Sequence, residues 1–210
     1  VNPTEPKHVK VTVPNCDITE KEGDIVVLTN CESEDTQLQS MINRFCAVSK
    51  RKTRIINIAE YEFKGGCLGC FNCAVSGKCV YKDNFDEFLR NDIQKAEAII
   101  YAFTIKDHSM GARFKMYDDR QFCNGHRTVT IGMPIGYIVN GHLSVEENLR
   151  TIIEARAEVG HNFLCGVASN EEEVNDKPEE ATADANEGAE TPEEKAQADM
   201  EVNEIPSDEE

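Results

Sequence analysis

Ala98-Ile-Ile-Tyr-Ala-Phe103 is a short, nearly continuous apolar run, rich in β-branched and aromatic residues. A polar loop begins at Thr104, and beyond it Met110, Phe114 and Tyr117 share one helical face. Runs of this composition are typical of strands buried on both faces, as in a parallel sheet that is covered by helices. The segment therefore predicts a buried strand, a loop at its carboxyl end and then a helix.

Four further apolar runs have the same character and alternate with helical patterns. Leu38, Ile42 and Phe45 recur at helical spacing after the first run, and a longer helical pattern ends at Gly160 before the last. Alternation of strand and helix predicts an α/β protein with a doubly wound, five-stranded parallel sheet and right-handed crossovers. The four runs are Ile25–Leu28, Ile55–Ile58, Ile135–Val139 and Phe163–Ala168.

Two capping boxes mark predicted helix starts. Asn84 is followed by Glu87 three residues later, and Ser144 is followed by Glu147. A side-chain oxygen at the first position caps the backbone N–H groups of the first turn, and the acid three residues on reaches back. We therefore expect helices to begin after Asn84 and after Ser144.

Three loops are expected to meet where a parallel sheet of this kind binds its ligand, beyond the carboxyl ends of the strands. The first leads into a helix N-terminus, where free N–H groups and the helix dipole favour a phosphate. Ser33 and Thr36 offer hydroxyl groups there, either to a phosphate or simply as helix caps. The loops are Thr29–Gln37, Thr104–Arg113 and Asn140–Ser144.

The acidic charge of the chain is concentrated at its C-terminus. Residues 170–210 contain 17 acidic residues and two lysines, so they carry −15 of the formal net charge of −17 and leave −2 for residues 1–169. This segment has no aromatic residue and cannot bury enough apolar surface to offset the entropy of ordering. We predict a disordered acidic tail at 170–210, one domain at 23–169, and an N-terminal linker or edge strand at 1–22.

Composition also limits the classes of partner and compartment. A nearly neutral domain with an acidic tail predicts no nucleic-acid partner, and the sequence shows no membrane span or signal peptide. Nine cysteines, an odd number, are scattered widely enough to predict reduced thiols in a cytoplasm. The chain begins at Val1 instead of Met, which is expected of a piece of a longer protein.

Four of these cysteines lie within thirteen residues, in the pattern Cys67-x2-Cys70-x2-Cys73-x5-Cys79. Compact C-x2-C-x2-C runs hold iron–sulfur clusters through four thiolates. No second run is present in the sequence, so all four sulfurs would serve one centre, with lysines 64, 78 and 82 offsetting its charge. Structural zinc usually draws its ligands from two separated pairs, and disulfides suit secreted proteins. The spacing favours a cluster over zinc, and zinc over disulfides.

The cysteine pattern, followed by Lys82-Asp83-x-Phe85, resembles the iron–sulfur flavoproteins within the NAD(P)H-dependent FMN reductase branch of the flavodoxin-like superfamily. The segments Thr104–Arg120 and Gly136–Ser144 are similar to the third-strand and fourth-strand loops of that family. The resemblance covers residues 24–170, and its cysteine part is the most specific.

This resemblance implies a flavodoxin-like fold that binds FMN, with a [4Fe–4S] cluster in the inserted cysteine loop. It implies an oxidoreductase that transfers electrons from a reduced donor, NAD(P)H or ferredoxin, without a catalytic acid or base. It also implies a homodimer or tetramer, because the cluster commonly lies near the FMN of a neighbouring subunit. The implied iron ligands are Cys67, Cys70, Cys73 and Cys79; the FMN phosphate would meet Asn30, Ser33, Thr36 and Gln37; and the isoalloxazine would lie along Thr104, Ile105, Lys106, Asn140 and Gly141.

The phosphate loop of this chain, Thr29-Asn-Cys-Glu-Ser-Glu-Asp-Thr36, carries three carboxylates. At an effective dielectric constant of about 20, each would repel a nearby phosphate by a few kcal/mol. Three functions therefore stay open: an FMN and cluster oxidoreductase, a flavin-less cluster relay or module of a larger redox protein, and a structural zinc protein. The acidic loop favours the second, and the segments that begin at Thr104 and Asn140 favour the first.

A basic set on the helix after the third strand has two interpretations. Arg113, Lys115 and Arg120 would attract the phosphates of NAD(P)H or an acidic redox partner, or would form a solvated helix face paired with Asp118 and Asp119. The second interpretation is favoured, because helical neighbours of opposite charge commonly pair in this way.

Overall fold

The computed structural model describes residues 23–125 and 129–171, which form a five-stranded parallel sheet flanked by helices. The strands pair in the order β2-β1-β3-β4-β5, so the chain reverses its direction of winding after β2. This is the doubly wound, flavodoxin-like order, and it confirms the predicted fold class. The strands are β1 (Ile25–Thr29), β2 (Thr53–Asn57), β3 (Ala98–Thr104), β4 (Pro134–Asn140) and β5 (Phe163–Ser169).

Helices connect each strand to the next. After β2 the crossover is interrupted by a long loop, which contains the four clustered cysteines, before the chain enters its helix. This confirms the predicted cysteine-rich insertion. The helices are α1 (Thr36–Val48), α2 (Asn72–Ser76), α3 (Phe85–Phe88, continued by a π-helical turn at Leu89–Ile93), α4 (Ala112–Arg120), α5 (Phe122–Gly125) and α6 (Glu147–Val159), with a 3-10 turn at Leu143–Val145.

Both faces of the central strands are buried. Successive side chains of a strand point to opposite faces, and Val26 and Leu28 belong to one core cluster while Val27 belongs to the other. The second cluster includes Leu38 and Ile42 of α1. The continuous hydrophobicity of these runs therefore predicted their double burial correctly.

The two edge strands differ from that prediction. Most of β5 is exposed, including 66% of Phe163, and Ile55 of β2 is 47% exposed. Within the described ranges each edge strand pairs with a neighbour on one side only, so an apolar run there is less completely covered than in the centre.

The helix start predicted after Asn84 is confirmed, because α3 begins at Phe85, but neither predicted capping box forms. Asn84 precedes α3 with a left-handed backbone (φ +58°) and makes no capping hydrogen bond through its side chain. Asn tolerates this conformation better than most residues. Ser144 lies inside the 3-10 turn, and Glu146 precedes α6 instead, because the extra turn shifts the helix start by two residues.

The predicted N-terminal linker and all of the predicted acidic tail beyond Glu171 lie outside the described residues. None of the helices in the described part of the chain combines the length and hydrophobicity needed to cross a bilayer.

Candidate flavin and cluster site

The carboxyl edge of the sheet gathers the loops that were predicted to bind a ligand. Thr104 ends β3, Asn140 ends β4, and the two residues are partners in the parallel register. The loop from β1 into α1 lies beside them, since β1 is the other neighbour of β3. The long loop after β2 leaves from the same edge.

Asp35 lies at the centre of this edge and joins three elements. Its carboxylate accepts hydrogen bonds from the Thr104 hydroxyl and, at 3.1 Å, from the Asn140 side-chain amide. The Asn140 amide also donates to Thr104 Oγ1 at 3.0 Å. Asn170, just after β5, donates to Asn140 Oδ1 at 2.8 Å. One hydrogen-bond network thus joins the N-terminus of α1 to the carboxyl ends of β3 and β4.

Asp35 also caps α1, because its Oδ1 accepts the backbone N–H of Leu38 at 3.1 Å. A flavin phosphate at a helix N-terminus would need these same N–H groups. The residues at this end therefore do not fit a phosphate dianion in the observed conformation: a carboxylate of the chain already holds that position, with Glu32 and Glu34 in the same loop.

The residues that were predicted to bind the phosphate lie in the same stretch of chain as Asp35, but they do not cap the helix. Asn30 is half-buried at the end of β1, whereas Ser33, Thr36 and Gln37 are exposed at the start of α1. Neither Ser33 nor Thr36 caps the helix, so the simpler interpretation of their hydroxyls is wrong, and their contact with a phosphate stays a prediction.

The predicted ring-binding residues form the other part of the edge. Lys106 pairs with Glu32 across the cleft, with 3.2 Å between Nζ and Oε2. The Gly141 N–H donates to Asn170 Oδ1 at 2.7 Å, and the Ile105 N–H donates to the Asn140 carbonyl at 2.9 Å. These neutral groups with one cation suit the ring end of a flavin.

Glycine is required at position 141, both by the backbone conformation there and by the nearby side chain of Ile105. Its φ is +130°, and a Cβ there would lie 3.1 Å from Ile105 side-chain atoms. Only glycine takes such a conformation at little cost. The two loops therefore approach each other closely at this point.

The cysteine loop leaves β2 and returns at α3. The side chain of Asn72 closes its middle by donating to the Lys78 carbonyl at 2.9 Å, and Phe71 and Gly77 at either side of α2 are left-handed. The Tyr61 hydroxyl donates to the Asp83 carbonyl at 2.8 Å, which joins the two ends of the loop.

The four loop cysteines are free thiols. Cys73 and Cys79 are partly buried and pack against the core, whereas Cys67 and Cys70 are exposed. Burial raises the pKa of the Cys73 thiol, and the other three sulfurs of the loop raise that pKa further. Among the described residues, no three Cys, His, Asp or Glu side chains are gathered closely enough to hold a single metal ion.

A buried ion pair lies directly behind the loop. Arg120 Nη2 donates to Cys79 Sγ at 3.3 Å and to Asp83 Oδ1 at 2.8 Å, and Nη1 donates to Asp83 Oδ2 at 2.5 Å. Only 1% of the Arg120 side chain and 3% of the Asp83 side chain are exposed. Asp83 also accepts the Lys64 N–H at 3.2 Å. The donor set of four thiols backed by a buried cation fits an anionic iron–sulfur centre.

Asp83 and Arg120 each shift the pKa of the other. Hydrogen bonds from Arg120 hold the pKa of Asp83 at about 2. Burial alone would lower the pKa of Arg120, but its bonds to Asp83 and Cys79 outweigh burial and raise that pKa. Nearby, burial raises the pKa of the Cys123 thiol to about 12, with Cys79 contributing. Arg120 is therefore a permanent cation beside the loop.

The basic set on α4 is divided by the structure. Lys115 pairs with Asp118 at 3.3 Å and with Asp119, as the favoured interpretation expects. Arg113 instead donates to the Tyr61 carbonyl at 2.7 Å, and Arg120 is buried. The solvated-face interpretation is therefore wrong for Arg120.

The sequence did not predict that Asp35 caps α1 or that Asp83 and Arg120 form a buried ion pair beside the cysteine loop. A signal existed for Arg120, which follows Tyr117 by three residues and so continues the buried face of α4. The sequence contains no comparable signal for Asp35. Ser33 and Thr36 are also preferred N-cap residues, so the sequence alone does not show which residue caps α1.

Comparison with known proteins relates this chain to flavoproteins. It is 32% identical over 54 residues to an iron–sulfur flavoprotein of Clostridioides difficile (strain 630), a match that covers 26% of this chain and 24% of the relative. The chain thus matches about a quarter of the length of the curated relative. No protein-family model matches it.

Solved structures show the same fold. An NAD(P)H:quinone oxidoreductase from Methanothermobacter marburgensis superposes with a TM-score of 0.55 at 12% identity, over 74% of this chain and 88% of that one. RosB, solved with the bound intermediate 8-demethyl-8-formylriboflavin-5'-phosphate, superposes with a TM-score of 0.51 at 10% identity, over 71% and 66% of the two chains. The resemblance noted in the sequence is thereby confirmed: the fold is flavodoxin-like, and a quarter of the sequence is similar to an iron–sulfur flavoprotein.

Proposed function

We propose that this chain is an electron-transfer oxidoreductase that holds one [4Fe–4S] cluster on its cysteine loop and a flavin, FMN, at the carboxyl edge of its sheet. It would pass electrons between a reduced donor, NAD(P)H or ferredoxin, and an acceptor. When bound, FMN exchanges two electrons with a donor and releases them singly, while a cluster carries one at a time.

The observation that carries this proposal is the environment of the four cysteine thiols. They come from one short loop, Cys73 and Cys79 pack against the core, and a buried arginine donates to Cys79. Four thiolates make either a zinc or an iron–sulfur centre anionic, and their compact spacing in one loop is what favours iron. Cys67, Cys70, Cys73 and Cys79 would hold the iron.

The flavin part rests on the carboxyl edge. Thr104, Ile105, Lys106, Asn140 and Gly141 would line the ring, and Lys106 would keep a positive charge beside it. Asn30, Ser33, Thr36 and Gln37 would reach the phosphate only after Asp35 rotates away from the N-terminus of α1. The names of the relatives support this class of chemistry: one is an iron–sulfur flavoprotein, one an NAD(P)H-dependent oxidoreductase, and one was solved with a riboflavin phosphate derivative.

A second candidate function is favoured by the position of Asp35. A flavin-less relay, in which the same fold only carries the cluster for a larger redox protein, needs no phosphate site. The capped and hydrogen-bonded N-terminus of α1 is what such a protein would retain after losing flavin.

Assembly and compartment belong to the same proposal. A homodimer or tetramer would cover the exposed apolar side chains of the cysteine loop, Leu68, Phe71 and Val75. Free loop thiols suit a reducing cytoplasm. Light scattering at micromolar concentration would separate a monomer from either oligomer.

A visible absorption spectrum of protein purified without oxygen tests the proposal. Flavin bands together with a broad iron–sulfur shoulder are expected. The shoulder alone would favour the relay, and a colourless protein with one zinc per chain would overturn both.

A further inference from the structure

We infer that Arg120 positions Cys79 and stabilises the reduced state of the centre held by the cysteine loop, so that this one arginine sets the reduction potential of the site. The inference rests on the proposed function, and it concerns a residue on a helix outside the loop.

Burial makes Arg120 an unusual choice for a purely structural role. The Arg120 side chain is 1% exposed, and a buried charge is costly unless it is paired and hydrogen-bonded. Asp83 supplies a bidentate partner, yet Nη2 is shared between Asp83 and the sulfur of Cys79. Its Nε finds no acceptor among the described residues.

Three aromatic rings hold the guanidinium at this position. Its Cζ lies 4.5 Å from the ring centre of Phe85, 4.9 Å from that of Tyr81 and 5.9 Å from that of Phe63. Rings at these distances attract a cation and exclude water. A charge in such low-dielectric surroundings acts more strongly on its neighbours than one in solvent.

Reduction changes the charge next to this cation. One electron, delivered by a reduced donor, adds one negative charge to a centre that four thiolates already make anionic, and no bond is made or broken. Arg120 stabilises the reduced form more than the oxidised form, because a hydrogen bond to a ligand sulfur strengthens as negative charge grows. Hydrogen bonds to sulfur are a known control of cluster potential.

Asp83 opposes this effect. Its carboxylate balances Arg120 and has a pKa of about 2, so it stays ionised at neutral pH. The two partners therefore shift the potential in opposite directions, which a simple packing role would not do.

The test is a redox titration of the anaerobically purified full chain, followed by electron paramagnetic resonance of the reduced centre. In Arg120→Lys, the ammonium lacks the planar fork that reaches Asp83 and Cys79 together. We expect the ratio of reduced to oxidised centre, at the wild-type midpoint, to fall about tenfold, a shift of about 59 mV for one electron. In Asp83→Asn, the midpoint should rise.

Arg156→Lys is the matched control. Arg156 also pairs with a buried aspartate on α4, Asp118, and lies over an aromatic ring, Phe122, but it makes no contact with a loop cysteine among the described residues. Its midpoint should equal that of the wild type.

Equal midpoints in wild type, Arg120→Lys and Asp83→Asn would overturn the inference and leave the proposed function standing. If Arg120→Lys does not fold, Asp83→Asn decides alone, and a midpoint that does not rise overturns the inference. A wild-type chain that contains no iron would overturn both the inference and the proposed function.

Discussion

Asn140 donates a 3.1 Å hydrogen bond from its side-chain amide to the carboxylate of Asp35, joining the end of β4 to the N-terminus of α1. The bond places a negative charge of the chain where a flavin phosphate would bind in this fold. Flavin affinity should therefore depend on this one carboxylate.

Asp35→Asn should bind FMN at least tenfold more tightly than the wild type, about 1.4 kcal/mol. The substitution removes the charge that repels phosphate, while Asn remains a good helix cap, so α1 should stay intact. Quenching of FMN fluorescence on titration with protein would give both dissociation constants.

Glu147→Gln is the control, since Glu147 also lies in the first turn of a helix, α6. Its FMN affinity should match the wild type. Equal affinities for wild type and Asp35→Asn would show that Asp35 does not compete with the phosphate.

Acid should weaken the fold through Asp83. Its pKa is about 2 in the folded chain, against an ordinary value of 3.8, because Arg120 donates to it. Since the folded value is the lower one, the stabilisation is complete above about pH 5 and is lost as the pH falls through 4 toward 2. The free energy of unfolding of the apoprotein should fall by about 2 kcal/mol more over that interval in wild type than in Asp83→Asn.

Urea unfolding followed by circular dichroism at pH 5, 4, 3 and 2 would measure this difference. Parallel pH profiles for the two proteins would contradict the assignment of the low pKa to Asp83.

The sequence predicted the sheet because hydrophobic runs report burial directly. Ala98–Phe103 and Ile135–Val139 lie within β3 and β4, and the cysteine spacing located the loop. It could not predict Arg120 as a buried cation, because the pairing with Asp83 spans 37 positions and depends on how α4 packs against the loop. Asp35 was equally hidden, since Thr104 lies 69 positions away.

The helix start after Asn84 was predicted correctly, and the start after Ser144 was not, since α6 begins at Glu147. Asn84 and Ser144 have the composition of caps, but the first adopts a left-handed backbone and the second lies in a 3-10 turn. Both conformations are set by the loops that precede them, which a pattern of two residues does not describe.

Gly65→Ala should destabilise the base of the cysteine loop. Gly65 has φ +154°, and a Cβ there would lie 2.5 Å from the hydroxyl of Tyr81, one of the rings over Arg120. Overpacking of this kind typically costs about 1–3 kcal/mol. Thermal unfolding should occur at a lower temperature, and less iron should be retained.

Gly69→Ala is the comparison for a glycine of positive φ in the same loop that has no clash. Gly69 has φ +63° in the same loop, but a Cβ there would meet no atom within 4 Å. Its melting temperature should fall less than that of Gly65→Ala. An equal fall would show that contact with the Tyr81 hydroxyl does not add to the cost.

Cys73→Ser should remove cluster iron and leave the sheet folded, because Cys73 lies on the loop and outside every strand. Cys165→Ser, which changes an exposed thiol on β5, should keep its full iron content. Iron analysis together with far-ultraviolet circular dichroism would show both results. Full iron in Cys73→Ser would refute its assignment as a ligand.

The most direct test of the cluster is a count of iron, acid-labile sulfide and zinc per chain in protein purified without oxygen. A [4Fe–4S] centre on Cys67, Cys70, Cys73 and Cys79 predicts about four iron and four sulfide per chain, with zinc absent. One zinc per chain without labile sulfide would contradict it.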